Sequence, residues 1–398
     1  MTHSSSVLPP PPVSGDALMA EGIRQLQARQ LANAIGFFRQ AVRAYGASGP
    51  RDRLEDAEGY LSFVQMRHEA ETAARRSVRL NPRYREDDYG PDDYLLPDAT
   101  RSFTYAIEVA DGCNLRCPSC PRGNLQMARP RQGLMSLALF GRILDKIERD
   151  KTVQSPSVWL FNWGEPLLNP DLPAMISAVK ARGWYAMLSS NLSLKRDLHD
   201  VIAAGPDEFK ISLSGFDQKN YAIGHARGRI DLVQDNMRAL RCILDATRAE
   251  TRVWVGFHVY RHNQADVEPM RQLAESLGYY FHAYPASFTP LEKLADLCEG
   301  KLESADRAIV DALISDPLAR AAENRARVSP RRDCELRFNM MSIGVDGEVD
   351  LCCSSFAPEN RLGVNFLAFS HEDLQRRKYA HPFCGRCYRL GLQTQRTD

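Results

Sequence analysis

Three cysteines, Cys113, Cys117 and Cys120, stand close together with the spacing Cys-x3-Cys-x2-Cys. Three thiolates in so short a loop can ligate three irons of a cubane cluster, whereas a fourth ligand cannot come from the same loop. One iron would then keep an open coordination position, which is typical of reactive metal sites. A zinc site or a disulfide is the alternative, but zinc would need a fourth ligand, and no further His or Cys lies nearby.

Four further cysteines form a second group near the C-terminal end, with the spacing Cys-x17-Cys followed by Cys-x2-Cys. They are Cys334, Cys352, Cys384 and Cys387. The dipeptide 346–347, Asp-Gly, predicts a hairpin turn between strands at 340–345 and 348–351, which would bring the first two of these cysteines together. Four thiolates can enclose a metal centre completely. A zinc ribbon is the alternative, and Cys353 is a second candidate for the position of Cys352.

Composition limits the remaining possibilities. A chain of 398 residues with 44% hydrophobic and 25% charged residues is long enough for two or three globular domains. A net charge of +1 gives no reason to expect nucleic acid or an anionic membrane as a partner. There is no apolar run long enough for a transmembrane helix. Ten cysteines, eight of them in close-set groups that require no disulfide, favour a reducing cytoplasm.

The elements before the first cysteines are predicted to be helical. Residues 1–15, with prolines at 9–12, read as a disordered tail. Residues 16–86 carry two related segments in which Ala34 and Ala70 are 36 residues apart, as are Ala41 and Ser77. This pattern resembles two tetratricopeptide repeats, in which small residues let paired helices approach closely. An acidic linker is expected at 87–102.

From residue 103 the sequence alternates between strands and helices. We expect strands at 105–109, 158–161, 185–189, 209–213, 253–259 and 280–283. Six strand–helix steps predict an α/β fold with a parallel sheet curved into a partial (β/α)6 TIM-like barrel over 103–290. A helical connector is expected at 291–333, followed by a small cluster-binding domain at 334–398. Functional residues should lie where the strands run into loops, and the motifs lie there.

The cysteine run resembles the cluster loop of the radical S-adenosylmethionine (radical SAM) enzymes. The turn Gly164-Glu165-Pro166 is similar to the Gly-Gly-Glu-Pro motif of that superfamily, with Trp163 in place of the first Gly. The resemblance implies that the open iron binds the amino and carboxylate groups of S-adenosylmethionine, whose reductive cleavage releases a 5′-deoxyadenosyl radical.

The same resemblance implies a set of cofactor contacts. Gly164 and Glu165 would receive the methionine ammonium, and a carboxylate at a strand end suits a cation. Ser190 and Asn191 stand where the family often has Thr-Asn-Gly and are also implied to bind the cofactor. Ser212 or Ser214 would contact the methionine carboxylate or the ribose, and Arg227 would pair with the methionine carboxylate. For each of these five, a turn serine or a solvated arginine is an equally simple interpretation. His225 and His258 are candidates for an acid or a base, although a lone histidine is more often structural.

The C-terminal cysteine spacing resembles the twitch domain, a shortened form of the SPASM domain. The resemblance implies one auxiliary [4Fe–4S] cluster in addition to the cluster that binds S-adenosylmethionine. A fully thiolate-ligated cluster has no open position for a substrate, so it would accept or relay an electron. That logic favours a net two-electron oxidation of the substrate.

We therefore expect a radical SAM oxidoreductase or maturase with a flavodoxin- or ferredoxin-like electron donor. The helical repeats favour a peptide, protein or carrier-bound substrate, because such repeats form concave binding surfaces. A sugar or aminocyclitol dehydrogenase or epimerase is the alternative, and a zinc-stabilised, partner-binding scaffold is a more remote one. The sequence assigns no catalytic residue, although Cys298 is a candidate hydrogen donor.

Overall fold

The computed structural model describes residues 14–28, 30–76, 103–124, 133–150, 156–327 and 333–393. The chain divides into two compact units, residues 1–77 with residue 398, and residues 78–397. The predicted tail lies outside the described residues as far as residue 13, and the predicted linker at 87–102 lies outside them entirely. None of the described helices is long and apolar enough to cross a membrane.

The first unit consists of helices, as predicted. They are α1 Gly15–Gln27, α2 Leu31–Ser48 and α3 Arg51–Arg76. Small residues allow α1 and α2 to pack closely, because a Cβ at Gly22 would lie 2.6 Å from the Phe38 ring. Ala34 and Ala41 are fully buried. The predicted N-terminal helical region is thus confirmed.

The predicted second helix pair is wrong for the described residues. The segment 59–76 belongs to one continuous helix, α3, instead of two helices joined by a turn. The physical reason is that 51–76 contains no proline and a single glycine, so nothing in it stops a helix. Ser77 and the rest of the predicted repeat, up to residue 86, lie outside the described residues.

The second unit is built on one nine-stranded sheet with the order β6-β5-β4-β3-β2-β1-β7-β8-β9. Its strands are β1 Phe103–Ile107, β2 Pro156–Trp159, β3 Tyr185–Ser190, β4 Glu208–Leu213, β5 Arg252–Val259, β6 Tyr280–Pro285, β7 Met340–Ile343, β8 Glu348–Asp350 and β9 Arg361–Asn365. Neighbouring strands from β6 to β7 are parallel, and β8 and β9 are antiparallel additions. The predicted α/β partial barrel with six parallel strands is confirmed.

Helices connect the strands and cover the sheet. They are α4 Pro121–Asn124, α5 Leu137–Asp150, α6 Leu172–Lys180, α7 His199–Ala203, α8 Gln218–Gly224, α9 Ile230–Thr247 and α10 Val267–Ser276. The apolar side chains Phe140, Ile143, Leu144 and Ile147 of α5 are all buried. They follow the i, i+3, i+4, i+7 spacing that gives a helix one apolar face. The helices thus bury their apolar faces in the core that supports the sheet.

The strands β1 and β2 each begin and end two residues before their predicted bounds. Val109 and Leu160 are fully buried although they follow the last paired residues of these strands. The apolar pattern therefore continues into the loops that carry the functional residues.

After β6 the chain forms further helices and the C-terminal strands. The helices are α11 Leu291–Cys298, α12 Ser304–Asp311, α13 Pro317–Arg327, α14 Glu335–Phe338, α15 His371–Ala380 and α16 Pro382–Leu390. The predicted hairpin is present, since β7 and β8 pair in antiparallel register and Gly347 has a φ of 81° in the turn between them. Because β7 also pairs with β1, this hairpin extends the barrel sheet itself.

Candidate active site and a second cysteine centre

A cavity of about 360 Å³ lies at the carboxyl ends of the parallel strands, and its lining contains the three cysteines of the first run. The predicted site residues that line it are Cys113, Cys117, Cys120, Gly164, Glu165, Ser190, Asn191 and Ser212. They come from the loops or strand ends of β1, β2, β3 and β4. Tertiary structure therefore brings together residues that lie up to a hundred positions apart in the sequence.

The cysteine loop is held in a tight turn by its own backbone. The N–H of Cys120 donates to the carbonyl of Cys117 at 3.0 Å, and the N–H of Gly123 donates to the carbonyl of Cys120 at 2.8 Å. A Cβ at Gly123 would lie 2.2 Å from the Cys117 carbonyl oxygen, so this position needs glycine. The amide of Asn191 lies 3.7 Å from the Cys113 sulfur. One predicted cofactor residue thus touches one predicted cluster ligand.

The Gly164-Glu165 turn is fixed directly against the start of the cysteine loop. The N–H of Glu165 donates to the carbonyl of Gly112 at 2.8 Å. A Cβ at Gly164 would lie 1.8 Å from the carbonyl oxygen of Ala110, which leaves no room for a side chain. The glycine of this motif is therefore required by the close approach of two backbones.

The carboxylate of Glu165 is 1% exposed. Its Oε1 accepts from the N–H of Leu167 at 3.0 Å, and its Oε2 accepts from the N–H of Asn191 at 2.9 Å. Burial raises the pKa of Glu165 to about 7, although these two hydrogen bonds oppose the rise. A buried carboxylate favours a nearby positive charge, because a cation offsets the cost of removing the anion from water. The geometry therefore suits a ligand that carries an ammonium group.

Lys210 is a cavity residue that none of the sequence motifs includes. Lys210 and Ser212 lie two residues apart on β4 and both line the cavity. Gly256 on β5 leaves space for the lysine stem, since a Cβ there would lie 2.7 Å from Cε of Lys210. The Nζ of Lys210 lies 5.0 Å from the centre of the Trp254 ring. The period-two alternation of strand residues could have identified Lys210, because it places positions two apart on one face.

The two candidate histidines also line the cavity. The Nε2 of His258 lies 3.0 Å from the hydroxyl of Ser212 and 3.3 Å from that of Tyr284. Burial, together with the charge of Lys210, lowers the pKa of His258 to about 3. Burial lowers the pKa of His225 to about 4. Both imidazoles are therefore neutral at pH 7.

The structure does not bring Ser214 and Arg227 into the cavity lining. Ser214 is fully buried, and its hydroxyl lies 2.6 Å from Nδ1 of His225. Ser214 follows Leu213, the last residue of β4. The alternation of side chains between the two faces of a strand, which places Ser212 in the lining, therefore does not extend to Ser214. Arg227 is exposed, with a φ of 73°, between α8 and α9. Cys298 ends α11 and does not line the cavity either.

Two other single residues differ from a simple interpretation of the sequence. Cys242 has apolar neighbours on α9, which predicts a buried thiol, but it is exposed. Ser119 stands before the third cysteine, and its hydroxyl lies 2.6 Å from that of the buried Tyr260. The ring of Tyr260 thus adds aromatic surface to the cavity beside a small residue of the cysteine loop.

The second group of cysteines lines a much smaller cavity, of about 30 Å³. Its cysteines are Cys334, Cys352, Cys384 and Cys387. Cys334 precedes α14, Cys352 follows β8, and the last two lie on α16. Cys353 is not part of this lining, so the geometry favours Cys352 at the shared position.

Charged groups surround the second centre. Arg337 lines the cavity, and its Nε donates to Oδ1 of Asp333 at 2.8 Å. Both side chains are almost completely buried. The guanidinium also lies 4.3 Å from the centre of the Tyr379 ring and 5.0 Å from that of Tyr388. The second centre is therefore enclosed by aromatic rings and a buried ion pair.

Among the described residues, no group of three or more His, Cys, Asp or Glu side chains is placed to hold a single metal ion. A cubane cluster does not need such convergence, because each thiolate bonds a different iron atom. Burial raises the pKa of the Cys117 thiol, and iron would replace that thiol proton on binding. The first cysteine set fits a cluster on these grounds, and its cavity leaves space beside it. Burial also raises the pKa of the Cys352 and Cys387 thiols, so the second set has the same donor chemistry.

Comparison with known proteins agrees with this geometry. Residues 107–274 match the family model of the radical SAM superfamily. PqqA peptide cyclase of Streptomyces rochei is 28% identical over 174 residues, which are 43% of this chain and 44% of that protein. The chain spans less than half of the length of the curated relatives it matches.

Two solved structures show partial similarity to this chain. SuiB of Streptococcus suis, bound to the precursor peptide SuiA, gives a TM-score of 0.48 at 13% identity, covering 85% of this chain and 72% of that one. BtrN in complex with AdoMet and 2-DOIA gives a TM-score of 0.42 at 15% identity, covering 73% of this chain and 88% of that one.

The family match extends from the end of β1 into α10, so it includes both the cysteine run and the Gly164-Glu165 turn. It supports the radical SAM superfamily as the class of this part of the chain. That class implies a [4Fe–4S] cluster and S-adenosylmethionine as cofactors, and the donor set in the first cavity fits both.

Proposed function

We propose that this protein is a radical SAM enzyme that oxidatively modifies its substrate after hydrogen abstraction. The observation that carries the proposal is the shared cavity, in which three cysteines face a buried carboxylate and polar strand ends. Cys113, Cys117 and Cys120 would hold the cluster. When bound, the cluster and S-adenosylmethionine supply reductive sulfonium cleavage and hydrogen-atom abstraction.

The side chains of the cavity would bind and orient the cofactor. Glu165, buried and fixed by two backbone N–H groups, would receive the ammonium group. Ser190, Asn191 and Ser212 offer hydroxyl and amide groups along the same lining. Lys210 offers a positive charge for a carboxylate, a contact the sequence had implied for Arg227. Arg227 would need to change its conformation to take part.

The four C-terminal cysteines would hold an auxiliary [4Fe–4S] cluster. Support comes from the small cavity that these cysteines share and from their origin in three different segments of the fold. A cluster ligated by four thiolates has no open site, so this centre would pass an electron away from the substrate. The spacing of these cysteines resembles that of a twitch or SPASM-like domain. A flavodoxin- or ferredoxin-like protein would supply electrons to the first cluster.

A peptide, protein or carrier-bound molecule is the substrate class that we propose. The relative from Streptomyces rochei is described as a peptide cyclase. The N-terminal helices α1, α2 and α3 would offer a surface for such a substrate. The competing proposal is the dehydrogenation of an alcohol group of an aminocyclitol. Adding peptides or aminocyclitols to the reduced enzyme and measuring product masses would distinguish the two substrate classes.

Anaerobic reconstitution tests the proposal. We expect about eight irons per chain and formation of 5′-deoxyadenosine after reduction. Cys117→Ala should reduce that formation by more than about 100-fold, because even the loss of an outer-shell partner often costs 10- to 100-fold. Cys242→Ala is the matched control, since this thiol is exposed on α9 and should leave the rate unchanged. Colourless protein with one or two zinc ions would instead indicate a metal-stabilised scaffold.

A further inference from the structure

A buried lysine without a carboxylate partner lies beside the second cysteine centre. Lys378 on α15 is fully buried. Its Nζ donates to the carbonyl of Arg337 at 2.6 Å, to that of Leu336 at 3.3 Å, and to that of Met340. All three acceptors are neutral. Within the described part of the chain, no carboxylate forms an ion pair with this ammonium group.

A buried ammonium group is costly unless a negative charge lies close to it. Taking one ion out of water costs several kcal/mol even after the protein relaxes. The three carbonyl dipoles offset part of this cost. The nearest carboxylate in this region, Asp333, already forms a buried ion pair with Arg337. That pair is neutral overall, so the charge of Lys378 remains to be balanced.

The cysteines of the second centre supply negative groups for this ammonium group, since Cys352, Cys384 and Cys334 each interact with it electrostatically. The sulfur of Cys384 lies 3.7 Å from the carbonyl oxygen of Lys378, and α15 and α16 are separated only by His381. Lys378 also binds carbonyls of α14, the helix that Cys334 precedes. Lys378 therefore contacts both α14, which Cys334 precedes, and Cys384 on α16.

We infer that Lys378 is the counter-ion of the four-cysteine centre and raises its reduction potential. The inference rests on the proposed auxiliary cluster. Four thiolates around an oxidised [4Fe–4S] core carry two negative charges, and one-electron reduction adds a third. A fixed positive charge in a poorly solvated site stabilises the more negative state more strongly. Net charge and surroundings are among the factors that set cluster potentials.

The experiment isolates the second centre in the full-length chain. In a Cys113→Ala, Cys117→Ala, Cys120→Ala background, only the four C-terminal cysteines can hold a cluster. Lys378→Met is compared there with Lys378→Arg and with Lys146→Met. Lys146 is also buried, but it forms an ion pair with Asp150. The reduction midpoint is measured by redox titration followed by electron paramagnetic resonance.

We expect Lys378→Met to lower the midpoint by at least about 59 mV, a tenfold change in the one-electron equilibrium. Lys378→Arg and Lys146→Met should each shift it by less than a third of that. An unchanged midpoint in Lys378→Met with normal iron content would overturn the inference and leave the cluster intact. Absence of iron from the background protein itself would instead refute the auxiliary cluster.

A second measurement decides the matter if Lys378→Met fails to retain iron. Urea unfolding is compared with and without Lys378→Met in a variant whose four C-terminal cysteines are replaced by alanine. A counter-ion that has lost its anions is unfavourable, so the methionine should stabilise that variant while it destabilises the cluster-loaded protein. Equal destabilisation in both backgrounds would show that Lys378 only satisfies carbonyls, and would overturn the inference.

Discussion

The two cysteine-lined cavities of this protein differ in size and in the charges around them. The first has a volume of about 360 Å³ and the second about 30 Å³. The first combines three cysteines with the buried carboxylate of Glu165 and the ammonium group of Lys210, whereas the second combines four cysteines with the buried Arg337–Asp333 ion pair and the nearby Lys378. The same ligand type therefore occurs in two different electrostatic surroundings.

This difference matches different chemical tasks. A roomy cavity with a carboxylate and hydroxyl groups can bind a small charged molecule next to a metal. A small site in which four thiolates ligate all the irons leaves no position for a ligand, and one buried positive charge beside it can stabilise an anionic centre and adjust its potential. The contrast explains how one chain can use thiolates both for chemistry and for electron transfer.

The largest effect, on iron content and product formation, is expected when one cysteine of the second site is removed. Cys384→Ala should lose about half of the iron and more than about 100-fold in product formation, because the cluster loses a direct ligand. Cleavage of S-adenosylmethionine should continue within about threefold, because the first cavity is unchanged. Iron analysis and chromatography of 5′-deoxyadenosine and product check this. Equal loss of both activities would mean that the two sites are not separate.

Adding one methyl group to the open site should be nearly as damaging. Gly164→Ala forces a Cβ to within 1.8 Å of the Ala110 carbonyl oxygen, so the turn must move away from the cysteine loop. We expect a loss of about 3 kcal/mol in stability, the upper range for overpacking. Urea unfolding measures it. Gly141→Ala on α5 is the control, because nothing lies within 4 Å of its new Cβ, and it should be neutral or stabilising.

The neutral histidine of the open site predicts a pH dependence. The pKa of His258 is lowered to about 3, so the unfolded chain binds a proton near pH 6.5 that the folded protein does not. The contribution of His258 to stability should therefore fall by about 2 kcal/mol between pH 7 and pH 5. Glu165 acts in the opposite direction, because its raised pKa lets the folded protein bind a proton over this range more readily than the unfolded chain does.

His258→Gln tests this contribution by urea unfolding of cluster-free protein at the two pH values. The variant should lose less stability on acidification than the natural chain does. His225, with a pKa lowered to about 4, should still contribute in both proteins. The same acid sensitivity in the variant and the natural chain would show that the imidazole of His258 is not buried as described.

The smallest effect is expected at a contact that joins the two regions. The indole N–H of Trp163, a residue of the open cavity, donates to the carbonyl of Ser355 at 3.3 Å, close to the loop of Cys352. Trp163→Phe removes this hydrogen bond and should cost about 1 kcal/mol in urea unfolding. Trp159→Phe is the control, because that ring stacks on Phe161 at 5.6 Å. A larger loss in the control would contradict a specific role for the indole.

Much of the fold could be predicted from the sequence because its signals are local. Six alternations of strand and helix, the Asp-Gly turn and the apolar face of α5 each depend on neighbouring residues only. The strand bounds agree with the expected ones to within about two residues. The second helix pair was predicted wrongly because similarity between 34–42 and 70–78 does not reveal whether a turn interrupts α3.

By itself the sequence determined which reactive groups the protein has. These are the thiols of the two spaced cysteine groups and the carboxylate of the Gly164-Glu165 turn. Only the tertiary structure decided which polar residues face them. Lys210 lines the first cavity because of the register of β4 with β5. Lys378 lies near the second group of cysteines because α15 packs against α14. Ser214 lies outside the lining of the first cavity because it follows the end of β4, and Arg227 lies outside it because it stands in a turn with a positive φ. Spacing in a chain is fixed by covalent bonds, whereas the electrostatic surroundings of a site depend on contacts between distant segments, which only the packed fold defines.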